Sequence, residues 1–245
     1  MKDFLLDNFL HYAILCFAIG AGFFVQTIVG FAAVLVALPI LLIVLELHDA
    51  IMVLSILLAL FSAILIIKHY PQMDKRVIRD IGLFAIIGLL LGIFSLRFGN
   101  PTFLIRVLGV FIIFYAATVR VTRRAIPFVN HLGWLFGLIG GFFSGLFNTG
   151  GPLYVTYVTN RVQDSTHIRA TLFGLLGMIN IGRIPLLFSQ NMISISHILT
   201  ALLLMPIMLG SIWFGNAMVA HIQQDRFKQI LLFFLTMVGI SLLVK

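Results

Sequence analysis

Residues 140–158 read GGFFSGLFNTGGPLYVTYV. Apolar residues lead in from Leu132 and run on to Val158, yet the centre is Asn148-Thr149-Gly150-Gly151-Pro152. In water that would be an ordinary loop. In lipid it frees backbone N–H and C=O groups that no solvent can reach, each at a cost of several kcal/mol. A chain that breaks its own helix there must gain something by it.

The surroundings decide between water and lipid. The chain has 245 residues, of which 61% are hydrophobic and 10% charged, whereas soluble domains run near 45–50% apolar and about 25% charged. The excess persists along the whole length. This predicts an all-α polytopic membrane protein with no separate soluble domain, in the cell's inner (cytoplasmic) membrane. The N-terminus carries Asp3 and Asp7 beside one Lys and lacks a small-x-small cleavage site, so it reads as a retained first segment. Cys16 is the one cysteine, which rules out an intrachain disulfide or a thiolate cluster. The formal charge of +8 does not point to nucleic acid, because the basic residues sit in short loops between apolar segments.

Six stretches have the length of full spans: 50–68, 80–98, 102–119, 169–189, 198–218 and 227–244. Two others, 12–46 and 132–160, are apolar runs interrupted near their centres, at Thr27-Ile28-Val29-Gly30 and at Asn148–Pro152. Each predicts a pair of short helices joined by a turn, either re-entrant or as two tight spans. Segments 68–80, 120–131, 160–170 and 219–228 hold eleven of the 16 Lys and Arg, among them Arg120, Arg123 and Arg124. Loops 46–49 and 190–197 hold none. Placing the basic loops in the cytoplasm puts both termini outside.

The halves also resemble one another. Gly22-Phe23-Phe24 matches Gly141-Phe142-Phe143 and His48 matches His167, both at an offset of 119. Residues 1–124 and 125–245 then form two repeats, each a broken-helix hairpin plus three transmembrane helices. That unit has odd parity, so the second copy is inverted, an arrangement that places substrate near the midplane where broken helices meet.

The runs GFFVQTIVGFAAVLVALPILL (22–42), GFFSGLFNTGGPLYVTY (141–157) and IRATLF (168–173) resemble the sulfite exporter TauE/SafE family. The resemblance covers about residues 12–244. Its most specific part is the turn at Asn148–Pro152, with Asn where family members often carry Gly. The first hairpin departs further, with a single Gly in Val29-Gly30-Phe31-Ala32-Ala33. The resemblance implies a permease for small anions, often sulfur oxyanions or organosulfonates, without fixing the substrate.

Candidate substrate-binding residues follow from the chemistry of an anion. A helix that restarts near Pro152 offers the N–H groups of Thr149, Gly150 and Gly151 at its positive end, and glycine lets a ligand approach the backbone. Asn148 and Thr149 add side-chain donors. The plainer reading is a chain reversal in which Asn and Thr bond their own backbone. Gln26, Thr27 and Gly30 are the counterparts in the first hairpin, with Gln26 either a substrate donor or interhelical glue. Tyr154 can aim a hydroxyl inward. Arg183, with Asn180 one turn earlier, is an intramembrane cation able to grip an oxyanion, whereas Arg106 reads as snorkelling. All eight Asp and Glu lie in loops or at span ends, which argues against a cation substrate. No metal site, cofactor or enzyme motif is visible.

The expected function is therefore a secondary transporter of a small anion by alternating access. An anion channel on the same broken helices stays open, as does a homodimer. The topology is testable with single cysteines at Gln72 and Asn191 in a Cys16→Ser background. An impermeant thiol reagent should reach position 72 only from the cytoplasmic side and position 191 only from outside; labelling on one shared side would overturn it.

Overall fold

The computed structural model describes residues 2–121, 132–219, 221–222 and 224–244. Within them the chain is helical with no strands: α1 (Lys2–Val29), α2 (Ala33–Leu41), α3 (Leu47–His69), α4 (Lys75–Phe98), α5 (Pro101–Val121), α6 (Gly133–Phe147), α7 (Gly151–Arg161), α8 (Ser165–Ser189), α9 (Ile195–Met218) and α10 (Gln224–Val244). The expected basic loop at Arg123 and Arg124, and the boundary between the two halves, lie outside the described residues.

All six expected full spans are present as helices, α3–α5 and α8–α10. Their outer surfaces are apolar, with Ile67, Ile195, Trp213 and Ile230 each more than two-thirds exposed. In water so much exposed apolar surface would aggregate, whereas in a bilayer it is the ordinary outer face. The protein is a polytopic membrane protein.

The two interrupted runs differ from each other. The second hairpin is close to expectation, with α6 ending at Phe147 and α7 starting at Gly151. In the first, α1 begins at Lys2, ten residues before the expected start, and is 28 residues long. It is a full-length helix and not the short arm expected, because residues 2–11 contain no breaker. The interruption also falls later, at Gly30-Phe31-Ala32 and not at Thr27. Thr27 stays helical by donating its hydroxyl to the Phe23 carbonyl at 2.8 Å. The second arms α2 and α7 have 9 and 11 residues, which at about 1.5 Å per residue reach roughly halfway through a ~30 Å core.

Glycine sets the closest helix contact. α4 and α6 run parallel, with Gly88 and Gly92 of α4 against Gly137, Gly141 and Gly145 of α6. A Cβ built on Gly88 would stand 2.1 Å from the Leu138 carbonyl, and one on Gly141 2.1 Å from that of Ala85. No side chain larger than hydrogen fits, and the dispersion gained by backbone on backbone holds the pair together in lipid. α1 and α9 are likewise parallel, with Gly215 on Thr27 and Gly20 near Ser211. α3 and α8 are antiparallel, with Asn180 on Ser62 and Gly177 on Ile66. α5 and α10 are antiparallel at Gly109 and Gly239. The main packed pairs map onto one another when α1–α5 are exchanged for α6–α10: α4 on α6 becomes α9 on α1, and α3·α8 and α5·α10 map onto themselves.

The two ends of the bundle carry different charge. One holds Lys68, Lys75, Arg76 and Arg79, tied to Arg161 and Thr171 by an Arg161–Asp80 ion pair at 3.1 Å and by the Asp74 N–H on the Thr171 hydroxyl at 2.9 Å. There Asp164 caps α8, and the His167 backbone N–H holds its carboxyl below the usual range. At the other end His197 meets Asp49 at 2.9 Å and Arg97 bonds Gln190.

Replacing Gly88 or Gly141 with Val should force α4 and α6 apart and destabilise the fold by about 1–3 kcal/mol or more. Gly210, around which a Cβ would meet nothing within 4 Å, should accept Ala without loss. Thermal melting of the detergent-purified variants reads the contrast, and equal melting of Gly141→Val and Gly210→Ala would refute the close contact.

Candidate functional site

The second break is built by Asn148. It caps α6 in the left-handed region, at φ 60° and ψ 28°, a conformation asparagine tolerates better than most residues. Its N–H donates to the Ser144 carbonyl at 3.0 Å, and the Thr149 N–H to that of Phe143 at 3.3 Å. The Thr149 hydroxyl also turns back toward the Phe143 carbonyl, at 3.5 Å. Two of the groups expected to face a ligand are therefore engaged with α6. The Asn148 side-chain amide donates to the Ser55 hydroxyl at 3.2 Å, and Ser55 donates in turn to the Ile51 carbonyl at 2.6 Å. This chain orients the amide and leaves Asn148 Oδ1 buried with no partner.

α7 opens at Gly151 with Pro152 in its first turn. The Gly150 carbonyl accepts from Leu153 and Tyr154 at 3.1 and 3.3 Å, so the Gly150 and Gly151 N–H groups precede the first intrahelical bond. Tyr154 is fully buried; its ring covers Gly140, and its hydroxyl lies 3.5 Å from that of Ser144. It packs α7 on α6.

The first break uses different residues for the same task. Gly30 and Ala32 are both left-handed, at φ 91° and 96°, and for alanine that conformation costs about 1–2 kcal/mol. The Gly30 N–H continues the α1 ladder to the Gln26 carbonyl at 2.8 Å. Gln26 Oε1 accepts the Ala33 N–H at 2.8 Å and so caps α2. Since that donor requires an oxygen, the Gln26 NH2 is the end left to point elsewhere.

The two breaks meet. One cavity of about 20 Å³ is lined by Gln26 and Phe31–Leu35 from the first and by Asn148, Thr149, Gly151 and Pro152 from the second, together with Asn180. Its remaining walls are Leu58 and Leu176, at or beside the midpoints of α3 and α8, which places it at mid-bilayer depth. The first turns of α2 and α7 both border it, so two half-helices present their positive N-terminal ends to one small space. At this volume it holds about one water. Of the residues singled out from sequence, Thr27, Gly30, Gly150, Tyr154 and Arg183 are not among its lining.

Arg183 is fully buried. One guanidinium nitrogen donates to the Ser144 carbonyl, while Nε and the other terminal nitrogen have no partner. The ion pairs among the described residues are Arg161–Asp80, His167–Asp164 and His197–Asp49, and none includes Arg183. It stands as an unpaired cation at the negative end of α6. Arg106, by contrast, is exposed among Phe103, Val110 and Phe114. Asn180 donates to Ser62 at 2.8 Å. Sequence reasoning missed Ser55, Ser62 and Ser144, which anchor Asn148, Asn180 and Arg183; a lone serine in an apolar helix gives no signal that separates it from filler. Among the described residues no group of three or more His, Cys, Asp or Glu could hold a metal.

A family model described as "Sulfite exporter TauE/SafE" matches residues 14–242. No match was found among curated proteins or among solved structures. The family match runs from inside α1 to inside α10 and takes in both breaks and the cavity between them, and the chain, a membrane transporter by its fold and its kin, belongs to the sulfite exporter TauE/SafE family.

Proposed function

We propose that the protein is a secondary transporter of a small anion, a sulfur oxyanion or an organosulfonate, that works by alternating access around the cavity where the two breaks meet. The observation that carries this reading is the convergence of two half-helix N-termini on one polar pocket at mid-bilayer depth, with no carboxylate lining it. Backbone N–H groups at helix starts and the amides of Gln26 and Asn180 are donors in a water-poor setting, where attraction to a negative solute is strong. Asn148 Oδ1 is an unpaired acceptor, suited to a proton that the anion still carries, as in hydrogen sulfite.

Arg183 adds a positive charge that no carboxylate among the described residues neutralises. An isolated cation costs several kcal/mol in so dry a place, and an incoming anion offsets that cost. Its two free nitrogens make it the candidate second anchor, one turn beyond Asn180.

The exchange of packed pairs between α1–α5 and α6–α10, with α3 antiparallel to α8, supports reading the halves as inverted repeats. Such repeats rock against each other around a fixed central site. On this reading the protein sits in the inner membrane, and the charge of the loops supports placing its basic end toward the cytoplasm.

Purified protein in liposomes loaded with unlabelled anion, with the membrane potential clamped at zero by valinomycin and equal potassium on both sides, should accumulate labelled sulfite by saturable counterflow, which an anion channel does not produce under that clamp. Asn148→Ala and Asn180→Ala should each lower the initial rate about tenfold, the loss of one charge-assisted contact. Arg183→Gln should raise the half-saturation concentration more than Arg106→Gln does. Unchanged flux in both Asn variants would remove the pocket from the pathway, and equal Arg effects would return Arg183 to a structural part.

A further inference from the structure

A second cavity, of about 710 Å³, opens at the basic end of the bundle. Its walls come from the ends of five helices: Val29 of α1, Lys68 and His69 of α3, Thr166 and Arg169 of α8, Asn216 of α9 and Phe227 of α10. It is wide where the small pocket is pinched. Its inner wall reaches Val29, the residue before Gly30, and the small pocket's wall resumes at Phe31. The two spaces thus meet the first break from its two sides, with the single residue Gly30 between the wall of one and the wall of the other.

Its charge is one-sided. Lys68, Arg169 and His69 line it, and among the described residues no Asp or Glu does. Neither Lys68 nor Arg169 takes part in the ion pairs found among the described residues, whereas Arg161 at the same end is paired with Asp80. Thr166 and Asn216 add neutral donors. The need for positive charge on the cytoplasmic side would be met equally well by cations on the outer rim. Two unpaired cations inside a concave, partly apolar space do more, because low-dielectric walls focus their field on the solute within.

We propose that this space is an anion-collecting vestibule, in which Lys68 and Arg169 gather small oxyanions from the cytoplasmic side and deliver them to the first break. The ligand chemistry is a compact sulfate- or sulfonate-like group; a lipid phosphate shares it and is the competing occupant. The proposal rests on the transport reading only for what lies beyond Gly30, and its test does not use transport.

Single cysteines at Thr166 and Asn216, in a Cys16→Ser background and phosphatidylcholine vesicles, should react faster with an anionic methanethiosulfonate than with a cationic one. After normalisation to a free thiol, the ratio should be about 10, in the range that focused fields produce. Lys68→Gln with Arg169→Gln should bring it to about that of an exposed cysteine at Gln72, and millimolar sulfate should slow labelling in the parent but not in the double variant. A ratio equal to the Gln72 control, or one unmoved by the double variant, overturns the proposal. If anionic phosphatidylglycerol abolishes the preference while sulfate never protects, a headgroup fills the space and the solute vestibule is refuted. Charge-selective labelling without counterflow would leave the vestibule standing and sink the transporter reading; counterflow without charge selectivity would do the reverse.

Discussion

A peptide group inside a bilayer has no water to bond, so every helix interruption there must be closed by the protein itself. The two breaks meet this demand with different residues. At the second, Asn148 adopts the left-handed turn and returns its N–H to α6, followed by Thr149. At the first, the turn is made by Gly30 and a strained Ala32, and Gln26 reaches seven residues along to cap α2. Closure is partial in both. What stays open is the first turn of each short helix, and both first turns face the same cavity. The donors left over from breaking two helices become the polar lining of one pocket.

Position depends on the long helices. α6 cannot shift against α4 because five glycines bring the backbones into contact, and α1 is held on α9 through Gly215 and Thr27. Each hairpin is therefore anchored to a helix of the other half, and the polar links Asn148–Ser55 and Asn180–Ser62 fasten α6 and α8 to α3. Hydrogen bonds of this kind are worth about 1 kcal/mol in membranes, so geometry matters more here than strength. They set where the second break sits along α3, and hence its depth.

Much of this was legible in the sequence, for reasons that differ by residue. The six spans were readable because length and hydropathy suffice for a helix in lipid. Asn148–Pro152 was readable because five consecutive helix-disfavouring residues have no other use in an apolar run. The first break was misplaced by a few residues because Thr27 looks like a breaker and is held helical by its own hydroxyl, while Ala32 looks like a helix former and is held left-handed by its surroundings. Propensity gives way to tertiary context at both. The length of α1 was missed because its charged first turns fall below any span criterion, although nothing there stops a helix. Ser55 and Ser144 were invisible, since their parts depend on residues 93 and 39 positions away.

The pocket's size sets what the fold must do next. A space of about 20 Å³ admits one water and no oxyanion, so an oxyanion would fit there only if the lining moved. The left-handed joints at Gly30 and Asn148 are where such motion has the least backbone to disturb, because each already interrupts the hydrogen-bond ladder. A Cβ at Gly30 would meet nothing within 4 Å, while one at Gly150 would strike the Gly140 carbonyl at 2.2 Å. The first joint has room around it and the second is packed tight. The large basic cavity also abuts the first joint, at Val29. That room is confined to the joint itself. α2 is buried at seven of its nine residues, and a Cβ on Gly22 of α1 would stand 2.8 Å from both the Ala33 carbonyl and the Ala37 side chain. The short helix is thus seated on its long partner by close packing even where its hinge is open.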